Sequence, residues 1–350
     1  MDEKYSFENY IMQCCKADEW ELRRFLRRTL KNAGFSIIED DYKGYRGGNY
    51  DKVHNMLAIR GNPKTCLVAH TDVCRNHAKE DVVVKPTIKL MEIDGELKYI
   101  IQSEDCDVQV GGDDRLGVSI ASWLAITTGW DLGLLFTTDE EVGVVSAEYC
   151  KFPQLKDFDL LIQIDRGNRS NQIVSNIGGW DLCEKSTVRR LIQISEEIGL
   201  PRYEVQGLLT DVLAIKSNHM CKEAINLTCG YHKSFGAGKD EYIDIQEARD
   251  TMKFVNSIIK DYELEDLNDP RDLSVCEVEE EEEVQINYSE IFRTGSYEEH
   301  SSRRGRTYTG EDDEEDEVDI FSEERYNADK MSEVDENWFN LSLDGSCDIE

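Results

Sequence analysis

Hydrophobic residues recur at helical spacing in several separate stretches of the chain. Leu22, Leu26 and Leu30 are spaced in this way with arginines and lysines between them, so residues 17–33 are predicted to form an amphipathic helix. Gly34 follows directly and is typical of a helix end. Four later stretches also predict helices, at residues 116–127, 186–198, 211–217 and 245–262.

Other stretches have the spacing of strands. Residues 82–101 alternate in period two around Asp94 and Gly95, a pattern typical of a β-hairpin. Short continuous apolar runs are typical of strands buried on both faces, and they occur at residues 55–60, 65–69, 132–137, 158–164 and 224–229. Because these strands alternate with helices, the sequence predicts an α/β fold with a largely parallel sheet.

The distribution of charge divides the chain into two parts. The chain has 350 residues, of which 73 are acidic and 40 are basic, with a formal net charge of −33. Residues 261–350 hold 32 of the acidic residues and 7 of the basic ones, and they include a run of five glutamates at 279–283. Such runs repel themselves and bury little apolar surface. We therefore expect one folded domain over residues 1–265 and a disordered acidic tail over residues 266–350.

The composition also excludes several classes of protein. Affinity for nucleic acid comes mostly from lysine and arginine, so a chain this acidic is a poor binder. No apolar run approaches the roughly 20 residues that a membrane-spanning helix needs. The N-terminus has no basic-then-apolar secretion signal, and 11 scattered cysteines without a CxxC pair are typical of reduced thiols. We expect a cytoplasmic protein that binds neither nucleic acid nor a membrane.

Five short polar segments lie beside the predicted strand ends and helix starts. In open α/β sheets, functional sites form beyond the carboxyl ends of the strands. Side chains from the five segments are therefore able to converge. The segments are His70-Thr71-Asp72 and the stretches at residues 111–115, 138–143, 164–167 and 230–232.

Taken singly, each segment has an ordinary structural explanation. A lone histidine such as His70 is often held in a core by a backbone carbonyl group. Asp113 and Asp114, which follow two glycines, are typical of a turn that caps a helix. The acidic residues of the later segments and His232 can cap turns or face solvent.

Together, however, the segments favour a metal site. Burial of several carboxylates without a cation is costly, because desolvation and like charge both oppose it. Two histidines and three carboxylates are a reasonable ligand set for two zinc ions. The strand period places His70 and Asp72 on one face, so that Asp72 can accept the second ring N–H of His70. Of Glu140 and Glu141, one can bind metal while the other reaches a water molecule as a general base.

The ordered motifs HTD, GGDDRLG, TTDEEVG, IDRG and GYH resemble those of the co-catalytic zinc exopeptidases. That superfamily includes peptidase T, bacterial leucyl aminopeptidases, tetrahedral aminopeptidases and acylamino-acid deacylases. The resemblance implies a three-layer α/β/α sandwich with a mixed, mainly parallel sheet, and a cis peptide bond between Asp113 and Asp114. It also implies a role for each site residue: Asp113 as the carboxylate bridging two zinc ions, His70, Glu141, Asp165 and His232 as the other metal ligands, Asp72 as the residue orienting His70, and Glu140 as the general base.

The motif spacing implies a minimal, single-domain member of this group. Asp165 and His232 are 67 positions apart, which leaves no room for a separate lid domain. The resemblance implies an aminopeptidase that acts on peptides, in which Glu140 takes a proton from a water bridging the two zinc ions. Co²⁺ or Mn²⁺ in place of zinc is an alternative. Two other functions stay open: a deacylase or amidase of small N-acylated substrates, and a non-catalytic protein whose acidic tail binds basic partners.

Overall fold

The computed structural model describes residues 6–40, 54–73, 84–233 and 240–265, which all belong to one compact unit. The acidic tail predicted over residues 266–350 lies outside the described residues. Within the described part no helix is long and apolar enough to cross a membrane. The helices are α1 (Phe7–Lys16), α2 (Glu19–Asn32), α3 (Gly112–Thr127), α4 (Val145–Glu148), α5 (Lys185–Glu197), α6 (Asp211–Ser217) and α7 (Ile245–Glu265), with a short 3-10 helix at Pro153–Lys156.

The strands form one large mixed sheet and one small antiparallel sheet. Their bounds are β1 (Ser36–Glu39), β2 (Met56–Arg60), β3 (Thr65–His70), β4 (Pro86–Ile93), β5 (Glu96–Ser103), β6 (Leu132–Thr137), β7 (Leu160–Arg166), β8 (Gln172–Ile177), β9 (Trp180–Asp181), β10 (Tyr203–Gly207), β11 (Glu223–Thr228), β12 (Tyr231–His232) and β13 (Tyr242–Asp244). The large sheet has the order β1-β2-β6-β3-β7-β11-β8-β10, with β9 beside β8. Its four central strands, β6, β3, β7 and β11, are parallel, and antiparallel strands flank them.

Alternate side chains of the central strands enter two separate hydrophobic cores. In β3, Leu67 and Ala69 pack into a core that includes side chains of α1, α2, α3, α5 and α7. Cys66 and Val68 pack into the opposite core, with α4 and α6. The predicted three-layer α/β/α sandwich is therefore confirmed. Helix α3 lies very close to the sheet at Gly117. A Cβ added at this glycine would lie 2.2 Å from the carbonyl oxygen of Ile164 in β7.

The predicted hairpin forms, but in the smaller sheet. Strands β4 and β5 pair antiparallel with Ile93 opposite Glu96. Asp94 and Gly95 between them have φ values of 54° and 83°, as a two-residue turn of this kind requires. The smaller sheet has the order β12-β13-β5-β4. The sequence did not predict this sheet, because a period-two pattern identifies the two faces of a strand and not its partner.

The hydrophobic pattern also missed helix α1 and several short strands, among them β1, β8, β10 and β13. In α1, Phe7, Tyr10 and Cys14 are buried on one side, and they have helical spacing. The Ser6 side chain caps this helix by accepting a hydrogen bond from the backbone N–H of Asn9. The signal was present, but Ile11 is the one aliphatic side chain among the buried residues of α1.

Candidate metal centre

Three parallel strands deliver the predicted site residues to one edge of the large sheet. His70 is the last residue of β3, Asp165 lies near the end of β7, and Glu140 and Glu141 follow β6. Strand β3 lies between β6 and β7 in the sheet, so the three carboxyl ends meet there. Asp113 joins them from the first turn of α3.

The ring of His70 lies among the carboxylates. The residue is fully buried, and its Nε2 atom lies 3.1 Å from Asp113 Oδ1, 3.4 Å from Asp165 Oδ1 and 3.9 Å from Glu140 Oε2. In a tetrahedral zinc site with bonds of about 2.0–2.2 Å, neighbouring ligand atoms lie roughly 3.3 Å apart. The spacings from His70 to Asp113 and Asp165 are those of neighbouring ligands, whereas Glu140 lies farther out.

Two groups of side chains offer ligand atoms that all lie within 4.8 Å of one another. One group is His70, Asp113 and Glu141, and the other is His70, Asp114 and Asp165. Imidazole nitrogen and carboxylate oxygen are ligands that zinc takes in proteins. The structure therefore brings together four of the five predicted ligands: His70, Asp113, Glu141 and Asp165.

Asp72 connects the ends of β3 and β6. Its Oδ1 accepts a hydrogen bond from the backbone N–H of Glu140 at 3.2 Å, and its Oδ2 accepts one from Glu141 at 3.1 Å. The Nδ1 atom of His70 lies 3.4 Å from Asp72 Oδ1 and 3.1 Å from the Asp72 carbonyl oxygen. Burial raises the pKa of Asp72, but its contacts with His70 and the two backbone donors outweigh burial and leave the pKa below its ordinary value. Asp72 thus holds both the His70 ring and the backbone of Glu140 and Glu141.

The glycines before Asp113 allow the chain to pass close to β12. A Cβ added at Gly112 would lie 2.7 Å from the Cβ of Tyr231, so a side chain at this position has no room. The peptide bond between Asp113 and Asp114 is cis, as the resemblance implies. Both residues depart from helical backbone angles at the start of α3. The tight GGDD turn therefore places Asp113 beside His70.

Two buried carboxylates that the sequence analysis did not assign to the site hold this turn. Glu241 Oε2 accepts a hydrogen bond from the N–H of Gly111 at 2.8 Å, and its Oε1 lies 3.4 Å from the N–H nitrogen of Asp113. Burial raises the pKa of Glu241 to about 7. Asp114 accepts hydrogen bonds from the backbone N–H groups of His70 at 3.2 Å and Gly117 at 3.0 Å.

Gln163 holds Asp165 from behind. Its Nε2 donates to Asp165 Oδ2 at 3.0 Å and lies 3.4 Å from Asp211 Oδ2. Asp211 also accepts a hydrogen bond from Thr137 Oγ1 at 2.7 Å, and burial raises its pKa to about 6. A glutamine inside the apolar run LLIQI was the one local signal of this network, because a buried amide requires polar partners.

The site places several acidic side chains close together in a buried environment, which shifts the pKa of several of them. Burial raises the pKa of Asp165 to about 7, against the opposing effect of His70. Burial also raises the pKa of Glu140 and of Asp114 well above the ordinary range, and the charge of Asp165 adds to both shifts. Burial lowers the pKa of His70, but Asp165 and Asp113 outweigh it and the net shift is strongly upward. A divalent cation would reverse the carboxylate shifts, so these residues fit a metal ion.

The structure does not bring His232 to this cluster. Adjacent side chains of a strand point to opposite faces. The side chain of Tyr231 faces the site, since its hydroxyl donates to the carbonyl oxygen of Asp165 at 2.9 Å, so that of His232 faces away. His232 Nε2 lies instead 3.1 Å from Glu247 Oε2, and its ring stacks on Tyr242 with centroids 5.0 Å apart. The metal-binding groups found in the described part of the chain do not include His232. Its role as a ligand stays a prediction.

Known peptidases share this fold, although neither a family model nor a curated protein matches the sequence. Among solved structures, the chain is similar to the aminopeptidase PepT from Bacillus cereus, with a TM-score of 0.58, 15% identity, and coverage of 73% of this chain and 98% of that one. It is also similar to a tripeptidase from Staphylococcus aureus, with a TM-score of 0.58, 12% identity, and coverage of 73% and 97%.

An archaeal structure gives the same result. An aminopeptidase from Desulfurococcus kamchatkensis matches with a TM-score of 0.51, 14% identity, and coverage of 73% of this chain and 94% of that one. At such identities the likeness shows the fold. The chain therefore has the fold of the co-catalytic zinc exopeptidases, and the resemblance read from its motifs is confirmed at this level.

Proposed function

We propose that the chain is a metal-dependent hydrolase of peptide bonds, most specifically an aminopeptidase. The observation that carries the proposal is the convergence of His70, Asp113, Glu141 and Asp165 at one edge of the sheet, with Glu140 beside them. The solved structures that share the fold include aminopeptidases and a tripeptidase, which supports peptides as the substrate class.

In this proposal the four converging residues hold zinc. Zinc, when bound, polarises a substrate carbonyl group and lowers the pKa of a coordinated water from 15.7 to about 7. Glu140 acts as the general base: its carboxylate accepts a proton from the attacking water and returns it to the leaving amine. Glu140 suits this role because its Oε2 lies 3.9 Å from His70 Nε2, close to the ligands without being among the nearest ones.

The number of zinc ions depends on His232. Two ions were predicted from the sequence, with Asp113 bridging them and His232 binding the second. In the structure His232 contacts Glu247, so this side chain would have to leave Glu247 to bind a second ion. Elemental analysis of the purified protein and of the His232→Ala variant counts the ions. Two equivalents that fall to one in the variant support the predicted role, whereas an unchanged count removes His232 from the ligand set.

The substrate experiment compares free and blocked amino ends. A series of tripeptides and their N-acetylated counterparts is incubated with the protein loaded with Zn²⁺, and in parallel with Co²⁺ or Mn²⁺, and released amino acids are quantified. An aminopeptidase cleaves the free peptides and not the blocked ones. The opposite preference would support a deacylase on the same residues. Absence of bound metal and of cleavage would leave a non-catalytic binding protein.

A further inference from the structure

Helix α2 contacts the ends of β3 and β6 through a carboxylate and a guanidinium group. Glu19 and Arg23 lie one turn apart on α2, with 3.7 Å between Glu19 Oε1 and Arg23 Nε. The Arg23 side chain is only 2% exposed and that of Glu19 only 14%. A buried charge pair of this kind persists only where its remaining donors and acceptors are satisfied.

The carboxylate of Glu19 accepts hydrogen bonds from two threonines on different strands. Thr71 Oγ1 donates to Glu19 Oε1 at 2.8 Å, and Thr138 Oγ1 donates to the same oxygen at 2.7 Å. These threonines are 52 and 119 positions away from Glu19 in the sequence. One oxygen atom of α2 therefore joins the end of β3 to the segment that follows β6.

The guanidinium of Arg23 binds the same two chain ends. Its Nε donates to Thr71 Oγ1 at 2.9 Å, and one terminal nitrogen donates to the carbonyl oxygen of Thr137 at 2.9 Å. The other terminal nitrogen donates to the carbonyl oxygen of His54. The backbone N–H of Thr71 also donates to Thr137 O at 3.0 Å. The pair thus fixes the lateral spacing of β3 and β6 where both strands end.

The two threonines stand next to the residues that matter for the chemistry. Thr71 lies between His70 and Asp72, and Thr138 precedes Glu140 by two positions. Asp72 in turn binds the backbone N–H groups of Glu140 and Glu141. A shift of one chain end relative to the other would therefore change the distance between Glu140 and the His70 ring.

From these contacts we infer that Glu19 and Arg23 are positioning residues, which set the general base Glu140 against the metal ligand His70. The inference rests on the proposed function and adds residues that lie outside the metal cluster. Neither side chain belongs to the groups of metal-binding atoms found around His70 in the described residues. Each acts only through Thr71, Thr138 and the backbone of the two strand ends.

The test compares Glu19→Ala with a matched control in which another arginine of α2 loses its carboxylate partner. Glu39 pairs with Arg27 of α2, so Glu39→Ala also removes a carboxylate partner of an α2 arginine, but away from the strand ends. For zinc-loaded protein we expect Glu19→Ala to lower kcat roughly 10–100-fold with KM nearly unchanged, the scale typical of groups that orient ligands. Glu19→Gln keeps an oxygen that accepts from both threonines, so it should restore most of the rate. Equal kcat values for Glu19→Ala and Glu39→Ala would overturn the inference.

A second measurement does not depend on activity or metal. Hydrogen exchange of the backbone amides of Glu140 and Glu141 is followed in the metal-free protein. We expect faster exchange in Glu19→Ala than in Glu39→Ala, because the acceptor Asp72 is no longer held in place. If the wild-type protein cleaves no peptide, the proposed function fails while the exchange result still decides on the positioning role. Exchange equal to that of the control contradicts it.

A milder variant covers the case in which Glu19→Ala does not fold. Thr138→Val removes one hydroxyl group and leaves the pair of Glu19 and Arg23 intact. Thr138→Ser keeps that hydroxyl and serves as its control. Faster exchange at Glu140 in the valine variant alone supports the inference, and equal exchange in both variants contradicts it.

Discussion

Glu140 and Glu141 are adjacent in the chain, yet the structure gives them different neighbours. A carboxylate oxygen of Glu141 lies within 4.8 Å of ligand atoms of both His70 and Asp113. Glu140 Oε2 lies 3.9 Å from His70 Nε2, and its pKa is raised mainly by burial. Replacement of each glutamate by glutamine should therefore have a different consequence.

Exchange of Glu140 for glutamine keeps the size of the side chain but removes the carboxylate that accepts a proton. Positioned acid–base groups contribute about 10²–10⁴ in rate, which corresponds to about 3–5 kcal/mol of activation free energy. We expect kcat to fall by this factor with KM and metal content unchanged. Exchange of Glu141 for glutamine should instead lower metal content, because a neutral amide is a poorer zinc ligand than a carboxylate.

The assay combines steady-state cleavage of a tripeptide with elemental analysis of the same samples. The two variants control for each other, since they carry the same substitution at neighbouring positions. Near wild-type turnover in Glu140→Gln with its metal still bound would refute the assignment of the general base. Metal loss in Glu140→Gln and not in Glu141→Gln would show that the two roles are exchanged.

Three further predictions concern packing, pH and the tail. Gly112→Ala should destabilise the protein by about 1–3 kcal/mol and weaken metal binding, because the added Cβ would lie 2.7 Å from the Cβ of Tyr231. The control for thermal unfolding is Gly129→Ala, where an added Cβ would have no neighbouring atom within 4 Å. Without metal, the pKa of Asp165 in the folded protein is raised to about 7. Between about pH 4 and pH 7 the folded state therefore keeps a proton on Asp165 that the unfolded state has released. The free energy of unfolding should fall as the pH rises over this range. Bound Zn²⁺ replaces that proton, so the gain in melting temperature on adding Zn²⁺ should grow over this range, and a gain independent of pH would contradict the reasoning. A chain that ends near Asp266 should keep metal binding and cleavage, since the tail supplies no motif residue; loss of either on truncation would place the tail in the site.

Much of the site was predictable because its residues lie at or just after the ends of strands. Once strands were predicted at residues 65–69, 132–137 and 158–164, the polar residues after them were expected at one edge of a parallel sheet. The structure confirms this geometry for His70 and Asp165. His232 was harder, because it lies on a strand of only two residues. Which of two adjacent side chains faces inward on so short a strand depends on its partner, and the partner β13 was not predicted.

Glu241 and Glu19, which hold the site from distant segments, could not have been found from local pattern. Glu241 binds Gly111 across 130 positions, and Glu19 binds Thr138 across 119. Each is an ordinary glutamate in its own segment, with the same charge and spacing as a solvated one. A hydrogen bond between distant segments leaves no periodic signal in the sequence, so only the packed structure identifies it.

Five carboxylates of the site fall into two sets according to what their oxygens face. Asp72, Asp114 and Glu241 each receive hydrogen bonds from two backbone N–H groups. These hydrogen bonds hold turns in place. Together with His70 they outweigh burial for Asp72, whose pKa is lowered, but they do not outweigh it for Asp114 or Glu241, whose pKa stays raised. Both oxygens of Asp114 accept backbone N–H groups, which argues against Asp114 as a metal ligand, although its carboxylate lies within reach of His70 and Asp165.

In the second set, Asp113 Oδ1 and Asp165 Oδ1 both face the Nε2 atom of His70, at 3.1 and 3.4 Å. One neutral imidazole N–H can donate to only one of these oxygens at a time. The contacts among these three side chains are therefore favourable in two cases. Either two protons are shared among the three groups, or a cation takes all three atoms as ligands. A divalent cation would also oppose the burial that raises the pKa of Asp165 to about 7, which His70 alone does not offset. The folded chain therefore favours a bound metal ion at this position on its electrostatics as well as on its ligand types.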